Sequence, residues 1–229
     1  MPILGETVRT HWWRCALVGA AAVVCVPTSS LFGVVPVLLW AALARTRRTG
    51  LIVGCVLVAL LAWFVLPRFL GFAGPWVPSY VEVFWLYPVF AALVCLPAVP
   101  RERSIAAGAL VLTTMVLTGL IAAAFVLLVQ LESKPGDEGV LPVPGGVQAV
   151  EGTGHCGSGN CSREVTVTGD RAPEVMRAHL AERGFTPRYP LDSGDERVCR
   201  ADGLVFTHEV CAESRTRTST EVRVVWYVS

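Results

Sequence analysis

The sequence predicts a chain of two unlike parts. The first is an α-helical polytopic membrane region, and the second is a small α+β domain held outside the cytoplasm by two disulfides. Three observations predict this. The chain is 53% hydrophobic and only 16% charged, with a mean hydropathy of +0.56, whereas soluble domains carry about 25% charged residues. Charge divides along the chain: residues 1–131 hold eight Arg against three acidic residues, and residues 132–229 hold eleven basic against fifteen acidic. Four of the eight cysteines, Cys156, Cys161, Cys199 and Cys211, fall in the second part. Together these features exclude a single globular enzyme, a disordered chain and a nucleic-acid binder with a broad basic surface.

Membrane helices are expected at about residues 12–27, 30–45, 50–66, 83–99 and 105–131, within a helical region covering 1–131. A crossing helix needs roughly 20 apolar residues. The first apolar block, Trp12 to Ala44, is long for one helix and tight for two. Its middle reads Val26-Pro27-Thr28-Ser29-Ser30-Leu31, where Pro removes a backbone donor and Thr-Ser-Ser favours a turn. Two short helices are therefore expected, each about 22 Å long at ~1.5 Å per residue. One long kinked helix, giving four spans, is the alternative.

Charge sets the orientation, because cytoplasmic loops concentrate Lys and Arg. With five helices, Arg9 and Arg14, the loop Arg45–Arg48 and the loop Arg101–Arg103 all fall inside. Thr28–Ser30, Pro67–Glu82 and residues 132–229 then fall outside. With four helices the C-terminal domain stays outside, but Arg9 and Arg14 join it, so the rule favours five. Trp12, Trp13, Trp40, Trp76 and Trp85 sit near expected helix ends, as interfacial aromatics do. A cleaved signal is not expected, since Pro27-Thr28-Ser29 is no small-x-small site. Nor is Cys25 a lipid attachment site, being preceded by Val24 rather than a small residue.

The spans carry little chemistry. Their polar content is mainly Thr113, Thr114, Thr118 and Gln130. A threonine hydroxyl can bond the carbonyl one turn back. The lack of ionisable residues deep in the spans argues against a proton-coupled transporter or a channel. Cys15, Cys25, Cys55 and Cys95 read as small hydrophobes.

Residues 132–154 are rich in Pro, Gly and acidic residues and read as an extended or flexible linker that holds the domain a short distance above the membrane. The domain proper is expected over 155–229, with order β-α-β-β(-β). Glu164–Thr168 alternates as a half-buried strand. Residues 173–183 read as an amphipathic helix with Pro173 in its first turn. Gly184 ends it, and Phe185 folds back on the last turn. His179 sits on its apolar face as a boundary residue rather than a ligand. Pro187–Glu196 reads as loop and Arg197–Arg200 as a short strand. Asp202-Gly203 signals a two-residue hairpin. It leads to a strand in which Leu204, Phe206, His208 and Val210 share a face. Ala212–Thr220 reads as a loop, and Glu221–Val228 as a last strand with Val222, Val224, Trp226 and Val228 on one face.

An even set of cysteines outside the membrane reads as two disulfides, each contributing roughly 2–5 kcal/mol. A tight turn at Asp202-Gly203 would set Cys199 opposite Phe206. Cys211 would then lie about 17 Å along the strand, beyond disulfide reach. Cross-pairing of Cys156 and Cys161 with Cys199 and Cys211 is therefore slightly favoured over local pairing.

The rival readings are a metal site built from His155, Cys156, Cys161, His208 and Cys211, or a thiol-redox site at Cys156/Cys161. Neither spacing fits a standard motif. Ser158 and Ser162 lie in no nucleophile elbow, and Gly157-Ser158-Gly159 reads as a tight loop. Arg215 and Arg217 form a weak basic tip. No catalytic residue, cofactor or metal is expected, and the chain is not expected to be an enzyme. The expected partners are the lipid bilayer and a protein or envelope ligand, with no nucleic acid. Two alternatives stand beside this binding role: a membrane-bound redox or metal factor, and an accessory subunit of a larger membrane complex. Arginine outnumbers lysine eighteen to one, which points to a G+C-rich, bacterial source.

Overall fold

The structure is a computed structural model and describes residues 3–26, 31–102, 104–157, 160–190 and 196–229. The chain forms two compact units. One is helical, Met1–Leu70 with Tyr80–Ala124. The other contains the sheet, and joins Gly71–Ser79 to Phe125–Ser229.

The helices are α1 (Ile3–Cys25), α2 (Val34–Leu43, entered by a 3₁₀ turn at Leu31–Gly33), α3 (Arg47–Phe69), α4 (Tyr80–Cys95), α5 (Val99–Glu102) and α6 (Ile105–Glu132). Each expected span overlaps one of them. Arg47–Phe69 and Ile105–Gln130 are long and apolar enough to cross a bilayer, while Trp12–Cys25, Leu31–Leu43 and Tyr80–Cys95 are shorter apolar helices. The first block is an antiparallel pair rather than one kinked helix. At one end Cys25 Sγ lies against Gly33. At the other, Arg14 Nη2 donates to Ala44 O at 2.7 Å. The turn expected at Pro27–Ser30 lies outside the described residues.

This unit is apolar inside and out. Trp13, Trp40 and Leu57 are buried, yet Leu110 and Ile121 on α6 are each 69% exposed. Two threonines of α6 bond the carbonyl one turn back: Thr114 Oγ1 donates to Leu110 O and Thr118 Oγ1 to Thr114 O, both at 2.8 Å.

The second unit holds an antiparallel sheet with β1 (Gln148–Glu151), β2 (His155–Gly157), β3 (Asn160–Thr168), β4 (Thr186–Pro190), β5 (Glu196–Asp202), β6 (His208–Thr218) and β7 (Glu221–Val228). Strand order is β1-β3-β7-β6-β5-β4, with β2 also paired to β3. Helix α7 (Ala172–Glu182) packs against a face of this sheet. Period-two alternation explains the core: Val165 and Val167 of β3 and Val222, Val224 and Trp226 of β7 all point inward and are buried. Met176 and Leu180 of α7 meet them. Each such side chain contributes roughly 1.5–3 kcal/mol on burial. Helix α7 ends as expected. Gly184, at φ 82°, donates to Ala181 O, and Phe185 N donates to Leu180 O, both at 3.0 Å, so two terminal carbonyls are satisfied.

Four expectations are corrected. The segment expected as an extended or flexible linker is instead packed into the sheet unit. Val140 is fully buried in the sheet core, with Leu141, Val143 and Val147 packed against it. Trp226 Nε1 donates to Gly136 O at 2.9 Å, and β1 adds Gln148–Glu151 to the sheet. Here Pro and Gly set turns, while a few valines and a leucine supply the anchoring.

The β5–β6 connection is not a two-residue hairpin. Asp202 pairs with His208, so residues 203–207, including Leu204 and Phe206, are loop. Gly203 adopts φ 134°, and a Cβ there would collide with Phe206 O. The dipeptide did mark a turn, but the chain needs three more residues to close it.

Residues 186–190 form an edge strand rather than a loop, with Thr186 opposite Cys199; positions 191–195 lie outside the described residues. Finally, the stretch Ala212–Thr218 continues β6, and the turn to β7 is confined to Ser219 and Thr220. The end of that stretch is polar and exposed and its register shifts between Thr216 and Thr218, which a scan for apolar runs reads as loop.

Candidate functional site

The disulfides follow the corrected register. The longer β5–β6 loop sets Cys199 directly opposite Cys211, and the two are bonded. Cys156 and Cys161 face each other across the β2–β3 hairpin and are also bonded. The pairing is local, not crossed. Strand β7 lies between β3 and β6, so Cys161 and Cys211 stand two strand spacings apart, about 9–10 Å, outside disulfide reach.

The Cys199–Cys211 bridge borders a cleft of about 270 Å³, lined by Ala73, Gly74, Gly184, Thr186, Arg188, Cys199, Arg200, Ala201 and Glu209. Strands β4, β5 and β6 form its floor. Arg188 pairs with Glu209. Arg200 is buried, with its Nε 3.5 Å from Asp202 Oδ2 and its guanidinium 5.4 Å from the Phe185 ring. The wall formed by Ala73 and Gly74 comes from the segment between α3 and α4. Gly74 N donates to Asp202 Oδ1 at 3.0 Å, and Gly203 N donates to Val77 O at 2.8 Å. Asp202 is 2% exposed, so Gly74 N and Arg200 Nε, rather than water, face its two oxygens.

Cys199, Glu209 and Cys211 bring their ligand atoms within 4.8 Å of one another. Both sulfurs are committed to the disulfide, so no thiolate is available to a metal. The metal set read from the sequence is not assembled. His208 and Cys211 are three apart on a strand and therefore project to opposite faces. His208 Nε2 instead lies 3.6 Å from Glu138 Oε2. His155 is exposed beside the Cys156–Cys161 bridge, and Ser162 Oγ donates to His155 O at 3.2 Å. Ser158 lies outside the described residues. Arg215 is 3.6 Å from Glu213, which also pairs with Arg197.

His179 is a buried structural residue. Its Nε2–H donates to Val140 O at 3.2 Å. Burial, with Arg183 nearby, pushes its pKa below the usual histidine value.

The helical unit also holds a polar junction at Glu102. Glu102 accepts hydrogen bonds from Arg45 N at 2.6 Å, Thr46 N at 2.8 Å and Thr46 Oγ1. Burial disfavours its charge, but these bonds outweigh that effect and hold the carboxyl below the usual carboxylate value. Arg14, Arg45, Arg47, Arg48 and Arg101 therefore gather at one end of the helices. Sequence reasoning missed Glu102 and Asp202 as anchors. The available signal was an acid inside an otherwise basic loop, and an acid at a hairpin's first position.

Compared with known proteins, the chain matches no protein-family model, no curated protein and no solved structure at a significant level.

Proposed function

We propose that the chain is a multi-pass membrane protein that crosses the bilayer five times. It presents its disulfide-bonded sheet unit outside the cytoplasm to a protein or envelope ligand. One observation carries the reading: the loop between α3 and α4 belongs to the same compact unit as the C-terminal sheet. Both then lie on one side of the membrane, whereas the Arg-bearing turns tied together by Glu102 collect on the other. That arrangement supports the orientation derived from charge. The cleft, walled jointly by that loop and by the sheet, is the candidate ligand site.

The test is cysteine labelling on intact cells with an impermeant maleimide, with and without an impermeant reductant. Cys156, Cys161, Cys199 and Cys211 are expected to label only after strong reduction. Labelling that requires the membrane to be opened would invert the topology.

A second reading, a thiol-redox factor, has one observation behind it: Cys199 lines a cleft that also holds the guanidinium groups of Arg188 and Arg200. Neighbouring cations stabilise a thiolate. Opening of Cys199–Cys211 by mild dithiol reductant would favour that reading, and resistance would favour a structural bridge.

A further inference from the structure

We propose that the β5–β6 loop and the loop between α3 and α4 together form a lipid-contact surface, seated in the interfacial layer of the bilayer that the helices cross. The inference rests on the membrane reading above.

The two loops are one backbone junction, held by Gly74 N to Asp202 Oδ1, by Gly203 N to Val77 O, and by a parallel bridge between Gly74 and Asp202. From this junction large apolar side chains face outward. Phe72 is 51% exposed, Trp76 49%, and Val205 and Phe206 61% each. Phe72 and Trp76 pack on each other with ring centroids 5.7 Å apart. The segments read Gly-Phe-Ala-Gly-Pro-Trp-Val-Pro-Ser over 71–79 and Gly-Leu-Val-Phe-Thr over 203–207, and neither contains a charged residue. A loop that stays in water is normally polar, and contiguous exposed apolar surface marks a contact site.

Chain continuity selects lipid as the occupant. Residue 71 follows α3, which ends at Phe69, by one residue, and residue 79 directly precedes α4, which begins at Tyr80. Helix α3 is long and apolar enough to span, so its end leaves the bilayer where this loop begins. Phe69 and Leu70, at that end, are 55% and 65% exposed. Trp and Tyr concentrate at this depth because a ring body prefers the apolar side and its polar edge the headgroups. Because the segments lack charge, attraction to anionic headgroups is not the driving term. The surface fits the acyl–headgroup boundary of a zwitterionic bilayer.

The test places a photoreactive benzophenone side chain, one position at a time, at Phe206, Val205, Leu117 and Arg217 of the full chain in phosphatidylcholine proteoliposomes. All four positions are outward-facing or partly exposed, and intact disulfides on a non-reducing gel report folding. Leu117, on α6, is the lipid control, and Arg217, in the β6–β7 hairpin, is the water control. Lipid adducts at Phe206 or Val205 are expected at a yield close to that of Leu117 and at least about fivefold above Arg217. Lipid adducts at Leu117 with none at Phe206 or Val205 would overturn this inference alone. So would adducts there to a second copy of the chain. Absence of lipid adducts at Leu117 would overturn the membrane reading, and this inference with it.

Discussion

The helical unit and the sheet unit solve the same problem with opposite surfaces. In the sheet unit, β3 and β7 turn alternate apolar residues inward. Val165, Val224 and Trp226 are fully buried, while the outer positions carry ion pairs such as Arg197–Glu213 at 2.5 Å. The described residues of the helical unit lack that contrast: exposed leucines and isoleucines such as Leu110 and Ile121 outnumber buried ones such as Leu57 and Leu61. Each unit nonetheless has a buried carboxylate that accepts from turn backbone N–H groups, Glu102 in one and Asp202 in the other. The difference teaches that the sheet unit is built for water and the helices are not. It also shows that in each unit a turn is held by a buried carboxylate acceptor.

The largest effect that would break this comparison comes from the sheet core. Trp226→Ala removes a fully buried indole and its bond to Gly136 O, at a cost of about 3–5 kcal/mol. Circular dichroism of the full chain in detergent is expected to lose strand signal at lower denaturant while keeping its helical signal. Joint loss would mean the two units share their stability.

The disulfides rank next. Removing the Cys199–Cys211 bridge by double Ser substitution opens the larger loop, with a sequence separation of 12 against 5 for Cys156–Cys161. Loop entropy gives about 3 kcal/mol for the first and about 2 for the second. Denaturant midpoints of the two double variants would rank them, and the reverse order would show that the β2–β3 tip matters more than its length implies.

Glu102→Gln probes the helical unit, at a cost of about 1–3 kcal/mol for weakened hydrogen bonds to charge. The sign with pH follows from the lowered carboxyl pKa. As pH falls, the unfolded chain takes up the proton first. The stabilisation is therefore full above the unfolded value and is lost as pH drops through the lower folded value. Thermal melts in detergent between neutral and acid pH are expected to show an acid loss in the parent that is flattened in Glu102→Gln.

His179 gives the smallest effect, confined to the sheet unit. Its folded pKa lies below the unfolded value, so its contribution is full above about pH 6.5. It declines as pH falls toward the folded value, because only the unfolded form is then protonated. His179→Gln is expected to remove that dependence, read as a flatter midpoint-against-pH curve.

Much of this was legible along the chain. Helix α7 and its Gly184 terminus, strand β7 and the heart of β3 were read from local pattern, because period and capping are properties of neighbouring residues. The helix positions followed from apolar runs bounded by Arg, Pro and Gly. The candidate cleft was not legible. It joins residues 73 and 74 to residues 184–209, and no local pattern reports a contact across that separation.

The amino-acid sequence by itself therefore determined the division into an apolar helical part and an alternating, cysteine-bearing part, since hydropathy and period are local quantities. The tertiary structure alone decided the disulfide partners, because a five-residue loop at 203–207 rather than a two-residue turn shifts the register and brings Cys199 opposite Cys211. It likewise decided that the Pro- and Gly-rich stretch is part of the domain, through Val140 in the core. It decided too that Glu102 and Asp202 anchor turns, because a carboxylate's role depends on which distant N–H groups the fold carries to it.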